Sequence, residues 1–224
     1  MGSRKMALDH NTNEQGIWRR FRSRATQFAR KESGTVTVES VIILPLLLFG
    51  LQAMYAYFES YRHQSLALKA NYAIADYLSR IPSYDQTMVD GLDELFEYMT
   101  RSSDESWVRV TVVECRASAE RCNTYDPRRI RVARLGADLV WNSHGSNGKL
   151  RHNNTSLRTK LAHHIPLMYR GEDLIVVETS AQFRPTFAGR WTGIYRREFT
   201  HISVTSPREH DTLCWPDEAT CAGT

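Results

Sequence analysis

The sequence predicts an α+β fold, with one long N-terminal helix, a second helix, and an antiparallel sheet supplied by the C-terminal half. Three observations carry this expectation. Residues 35–58 hold a single charged side chain, Glu39, in an otherwise apolar run. Apolar residues then recur at helical spacing as far as Met99. From Trp107 the period shortens to two, and two long strand-like stretches follow one another near the end of the chain. Helices followed by consecutive strands are the α+β pattern, in which the helices lie on one sheet.

The apolar run TVTVESVIILPLLLFGLQAMYAYF comes first. At about 1.5 Å per residue its 24 residues cover roughly 36 Å as a helix, more than the ~30 Å hydrocarbon core of a bilayer. Its far end carries Tyr55, Tyr57, Phe58 and Tyr61, side chains suited to the membrane–water interface. Ahead of it, residues 1–34 hold eight basic side chains (Arg4, Lys5, Arg19, Arg20, Arg22, Arg24, Arg30, Lys31) against three acidic ones (Asp9, Glu14, Glu32). The other 190 residues hold 21 basic and 22 acidic side chains, so the formal net charge of +4 arises before the apolar run. This asymmetry predicts a cytoplasmic N-terminus and an exported remainder. A nucleic-acid binder would carry its basic patch on the folded domain, so nucleic acid is not an expected partner. A buried core helix competes less well, because a long run with no polar face is rare in a soluble domain of this size. A cleaved secretory signal is the nearer competitor. Its apolar region spans about 7–15 residues before a small-residue cleavage site, whereas this run is longer and ends in tyrosines.

The better cleavage site lies before the run, in Ser33-Gly34-Thr35-Val36-Thr37-Val38-Glu39. Glycine there lets an extended backbone approach a protease closely. A carboxylate near the start of a bilayer helix is costly unless it has a partner or a task. Cleavage after Gly34 would create an α-ammonium at Thr35, about one helical turn from Glu39, and the helix dipole also favours a carboxylate at that end.

The stretch ARKESGTVTVESVIILPLLL resembles the start of TadE-like minor pseudopilins of the Tad (Flp) type IV pilus system: an arginine-rich leader, Gly-x-x-Thr-Val-Glu, an apolar run and a proline. The resemblance covers roughly residues 28–60. It implies that a prepilin peptidase, a membrane aspartyl protease, cuts between Gly34 and Thr35 on the cytoplasmic side. It implies that Glu39 pairs with a neighbouring subunit's new N-terminus during assembly. Pro45 matches the family's proline; it removes one backbone hydrogen bond and is expected to kink the helix. Two features depart from the pattern: Ser40 stands where a large apolar residue is common, and the leader of 34 residues is long. The implied partners are the inner membrane, the peptidase, other pilin subunits and the Tad machinery, with no cofactor. The implied organisation is a cleaved leader (1–34), a transmembrane helix (35–58), a periplasmic continuation of that spine (59–81) and a periplasmic α+β head (82–224), a pilin-like plan.

Leu66, Ala70, Ala73, Ile74, Tyr77 and Leu78 keep helical spacing, so the spine is expected to run about 45 residues and to end at Ile81-Pro82-Ser83. Ser83 and Gln86 predict a capping box for a second helix, whose stripe is Met88, Val89, Leu92, Leu95, Phe96 and Met99. Val108, Val110 and Val112 alternate with Arg109 and Thr111, predicting a half-buried strand. Further strands are expected over 138–141, 174–187 and 194–205, the last two joined as a hairpin through Arg184-Pro185 and Gly189-Arg190. Residues 142–154, rich in Asn, Ser, Gly and His, predict an exposed loop.

Four cysteines fall as Cys115/Cys122 and Cys214/Cys221, each pair enclosing six residues. In an exported domain they predict two local disulfides, worth about 2–3 kcal/mol each, although other pairings remain open. Zinc would want a tighter Cys-x-x-Cys or a histidine at ligand spacing, and no metal site is expected. His163-His164, with His144 and His152, read as exposed polar residues. No Gly-x-Ser-x-Gly, phosphate-binding loop or His-Glu-x-x-His occurs. The expected work is association rather than catalysis. Two other readings compete: an uncleaved, signal-anchored scaffold of the same machinery, and, more weakly, an anchored enzyme with its site in 144–164.

Overall fold

The structure is a computed structural model that describes residues 35–102, 106–115, 121–122, 130–135, 140–187 and 189–215. The chain divides after Met54 into two units.

Helix α1, Thr35–Leu78, runs for 44 residues and continues through Pro45. Before the division its side chains are exposed on every side: Leu46, Leu47, Leu48 and Phe49 are 72, 54, 51 and 46% accessible. Successive helix residues point about 100° apart, so four exposed neighbours leave no face covered. Beyond the division a buried stripe appears, formed by Ala67, Ala70, Ile74 and Leu78 at spacings of three and four. Asn71 sits in this stripe and is fully buried. Its amide donates to the Val177 carbonyl (3.2 Å) and the Thr179 hydroxyl (3.0 Å), tying helix to sheet. The helix stops at Leu78, ahead of the expected Ile81. Pro82 biases the preceding residues away from helix, and the Ser79 hydroxyl takes up the Asp76 carbonyl (2.7 Å).

Helix α2 spans Gln86–Thr100. Its cap is Asp85, whose carboxylate accepts from the Met88 amide (2.7 Å), not Ser83 as the sequence led us to expect. Ser83 is engaged elsewhere: residues 82–84 run beside Cys214, with Tyr84 N donating to the Cys214 carbonyl and Cys214 N to that of Pro82. The chain stays extended for two residues longer, and the next side chain able to cap does so. Val89, Leu92 and Phe96 form the buried stripe.

The main sheet consists of β1 (Trp107–Cys115), β2 (Ile130–Val132), β3 (Ser143–Gly145), β4 (Asp173–Phe183) and β5 (Arg197–Thr205). Its order is β2-β1-β4-β5, with β3 on the same edge of β1 as β2, and every pairing is antiparallel. Short ladders join Arg121–Cys122 to Met168–Tyr169 and Arg134–Leu135 to Val140–Trp141. The expected strand over 138–141 is thus described only at Val140–Trp141; residues 138 and 139 lie outside the described residues. The expected hairpin is β4–β5, with each strand shorter toward the turn than the sequence suggested.

Two cores flank the sheet. Val108, Val110, Val112, Ile175 and Val177 face the stripes of α1 and α2. On the other face Val113, Leu174 and Val176 meet Leu157, Leu161, Ile165 and Met168. β1 is therefore covered on both faces and is not the half-buried strand its alternation implied. Its polar positions are buried because partners meet them: Arg109 stands opposite Glu178 in the register, and Thr111 lies 2.8 Å from the Ser143 hydroxyl. Residues 142–154 also depart from expectation. Asn142, Ser143, His144, Ser146 and His152 are buried, while Asn147, Gly148, Leu150, Arg151 and Asn153 are exposed. Asn147 and Gly148 have positive φ (49° and 66°), the Asn-Gly pattern of a tight hairpin turn.

Candidate functional site

The residues assigned roles from sequence fall in different places. Gly34 lies outside the described residues, and Thr35 is the first described residue of α1. Glu39 is exposed on α1, one turn in, and Pro45 lies within the same helix. α1 is long and apolar enough to cross a membrane. Burying exposed side chains of the Leu and Phe size is worth about 1.5–3 kcal/mol each, so a helix apolar on all sides is strongly driven out of water.

Cys115 and Cys122 are disulfide-bonded, with their Cα atoms 5.7 Å apart. Cys214 is likewise in a disulfide, and Cys221 lies outside the described residues. Disulfides form and persist mainly in oxidising compartments.

The four histidines split into two groups. His163 and His164 are exposed, as expected. His144 and His152 are buried, contrary to expectation, and for different reasons. His144 stacks flat on Trp215, centroids 3.2 Å apart, with Tyr84 edge-on. Burial, aided by the Arg151 charge, lowers its pKa to about 3, so it is a neutral ring in an aromatic stack. Among the described residues no group of His, Cys, Asp and Glu has the arrangement of a metal site.

His152 belongs to a buried polar cluster. Arg109 donates two hydrogen bonds to the Glu178 carboxylate, both 2.7 Å. His152 Nε2 lies 2.8 Å from the same carboxylate, and Nδ1 lies 2.9 Å from the Ser156 hydroxyl. Burial alone would raise the Glu178 pKa, but the hydrogen bonds from His152 and Arg109 outweigh it and hold the carboxyl at about 2. Serine, histidine and carboxylate in a row is the connectivity of a nucleophilic site. Here the hydroxyl is already committed. Ser156 Oγ accepts from the Asn153 amide (2.9 Å) and donates toward the Asn153 carbonyl (3.1 Å), closing the cap of the helical turn Asn154–Ser156. Glu178 is neutralised by a bidentate guanidinium. The cluster fastens residues 150–156 to the sheet, with Arg109 also donating to the Leu150 carbonyl (3.1 Å). Sequence reading missed this pairing. Its signal was a single basic residue in VRVTVV and a single acidic one in LIVVETS, lone opposite charges in the two most apolar strands.

A further basic feature lies in the second unit. A cleft of about 200 Å³ is lined by Arg62, His63, Arg101 and Arg184 with one acid, Glu59. Burial lowers the His63 pKa and favours the neutral ring, against the Glu59 carboxylate, which favours the charged form.

Comparison with protein-family models, with curated proteins and with solved structures finds no match to this chain.

Proposed function

We propose that this chain is a minor pseudopilin of a Tad-type pilus, anchored in the inner membrane by α1 with its head in the periplasm. The observation that carries this reading is the change of character along one continuous helix. Its first part is apolar on every side, and its second part narrows to a single buried apolar stripe. That is the form of a spine that serves first lipid or neighbouring spines and then its own head. The basic leader, the Gly34–Thr35 bond and Glu39 supply the processing and assembly elements, and the disulfides suit the periplasm. On this reading the protein acts by association, and no catalytic step is assigned to it.

Co-expression with a prepilin peptidase, followed by mass spectrometry of the mature N-terminus, tests it. A product beginning at Thr35, abolished by Gly34→Ala, is expected; an uncleaved chain would leave the signal-anchored scaffold instead. Glu39→Ala is expected to leave cleavage intact while assembled pili drop sharply, and normal piliation in that variant would remove the pairing role.

A further inference from the structure

Among the described residues of the connection between β4 and β5, 189–195 hold a defined turn. It contains one helical turn, Gly189–Thr192, closed by a hydrogen bond from Gly193 N to the Gly189 carbonyl (2.7 Å). Gly193 has φ 74°, and a Cβ on Gly189 would sit 2.5 Å from the Ile194 carbonyl oxygen, so both positions require glycine. The turn therefore presents Trp191 and Tyr195 in a fixed way. Both point outward, 65 and 67% accessible. Two large aromatic side chains left in solvent on a turn held by its own backbone have no role in either core.

The base of the same connection packs on α1 at one level. The Phe187 ring meets Tyr55 edge-on at 5.8 Å. The Thr186 hydroxyl and amide donate to the Glu59 carboxylate (2.7 and 3.3 Å). Residues 55–59 are the last turn of the apolar run, where it passes into tyrosines and charge. The connection is thus tied within about one helical turn, ~5.4 Å of rise, of the point where a spanning helix leaves the hydrocarbon. Its charge is one-sided. Residues 184–197 contain Arg184, Arg190, Arg196 and Arg197 and no acid, and the neighbouring cleft adds Arg62 and Arg101. Aromatic side chains with arginines at the edge of a bilayer are the composition that headgroup layers take up, the cations being drawn to anionic lipid.

We propose that residues 189–197 form a second, interfacial membrane anchor, with Trp191 and Tyr195 entering the headgroup layer of an anionic bilayer and Arg190 and Arg197 binding lipid phosphates. This rests on α1 spanning the membrane. It would fix the head's tilt and rotation over the bilayer, which a single helix cannot do.

The full chain, reconstituted in phosphatidylethanolamine–phosphatidylglycerol vesicles, provides the test. The tryptophan emission lost on Trp191→Phe isolates that one side chain, whose exposure makes the change harmless to folding. Its emission should be quenched roughly threefold more by lipids brominated near the glycerol than by lipids brominated near the chain end. Exchanging phosphatidylglycerol for phosphatidylcholine, or replacing Arg190 and Arg197 together by glutamine, should reduce that quenching. A second reporter, Leu48→Trp in the Trp191→Phe background, reads the helix itself and should respond to the deep bromines. If Leu48→Trp is not quenched, the spanning helix fails and this proposal with it. If it is quenched while Trp191 answers only to aqueous iodide, the helix stands and the second anchor is overturned. Shielding of Trp191 from both iodide and lipid bromine would assign the connection to a protein neighbour and overturn it equally. Indifference to lipid charge would overturn the role given to the arginines.

Discussion

At the residue scale the main determinant is the triangle of Arg109, Glu178 and His152. Two opposite charges face each other across the β1–β4 register, and both are buried. A buried pair of this kind gains little over an apolar pair, but removing one partner leaves the other charge stranded. Arg109→Ala is therefore expected to destabilise the head by about 3–5 kcal/mol in thermal or urea unfolding. Arg109→Leu combined with Glu178→Leu should recover most of that loss. The pH dependence has a definite sign. The folded Glu178 carboxyl titrates at about 2, below its ordinary 4.5. Its contribution is fully present above 4.5 and is lost as the pH falls toward 2. In Arg109→Ala the acid loss should begin at higher pH, visible as an earlier fall in melting temperature; an unchanged acid profile would show that His152 alone holds the carboxylate.

At the element scale the disulfide between Cys115 and Cys122 closes a short loop at the end of β1. Replacing both cysteines by serine should lower unfolding stability by about 2–3 kcal/mol, as the loop entropy of so short a closure dictates, without dissolving the sheet. A loss much larger than this would mean that Cys115 and Cys122, both buried against Met168 and Ile165, act mainly through packing. Elements were legible where one physical signal governed them. The length of α1 followed from an apolar run with helical spacing after it, and β4 and β5 followed from two long β-branched stretches. The misreadings occurred where a distant segment decided the outcome. Ser83 lost the cap because Cys214 holds the chain extended there, and β1 became covered on both faces because the segment from Leu157 to Met168 folds over it. Residues 142–154 looked like loop by composition, yet Ser143 and His144 pair with β1, where the Ser143 hydroxyl meets that of Thr111 and the His144 ring is buried by stacking on Trp215. Asparagine, serine and histidine mark exposed loops only when no partner waits for them, and partners more than thirty positions away are invisible to local pattern.

At the scale of the whole molecule, the division after Met54 separates two kinds of stability. Every residue of both cores lies beyond it, the first being Ala67. The part before it has exposed apolar side chains and contributes to neither core. The head thus carries its own reasons to fold, and the first part of α1 carries only a reason to leave water. A chain of residues 59–224 is accordingly expected to be soluble without detergent, to unfold cooperatively and to keep its disulfides. The full chain should sediment with membranes and resist alkaline extraction. The comparison is informative because the shortened chain retains the α1 stripe from Ala67 to Leu78, and Asn71 with its bonds to β4, while losing Tyr55 as the partner of Phe187. The β4–β5 connection should therefore become the most protease-sensitive part of the shortened head, with cleavage at Arg184 or Arg190. Protection of that connection in the full chain within vesicles, and its exposure in residues 59–224, would tie its order to α1 and the surface beside it. If instead residues 59–224 fail to unfold cooperatively, the stripe of α1 cannot hold the sheet without the helix that precedes it, and the two units are one in stability.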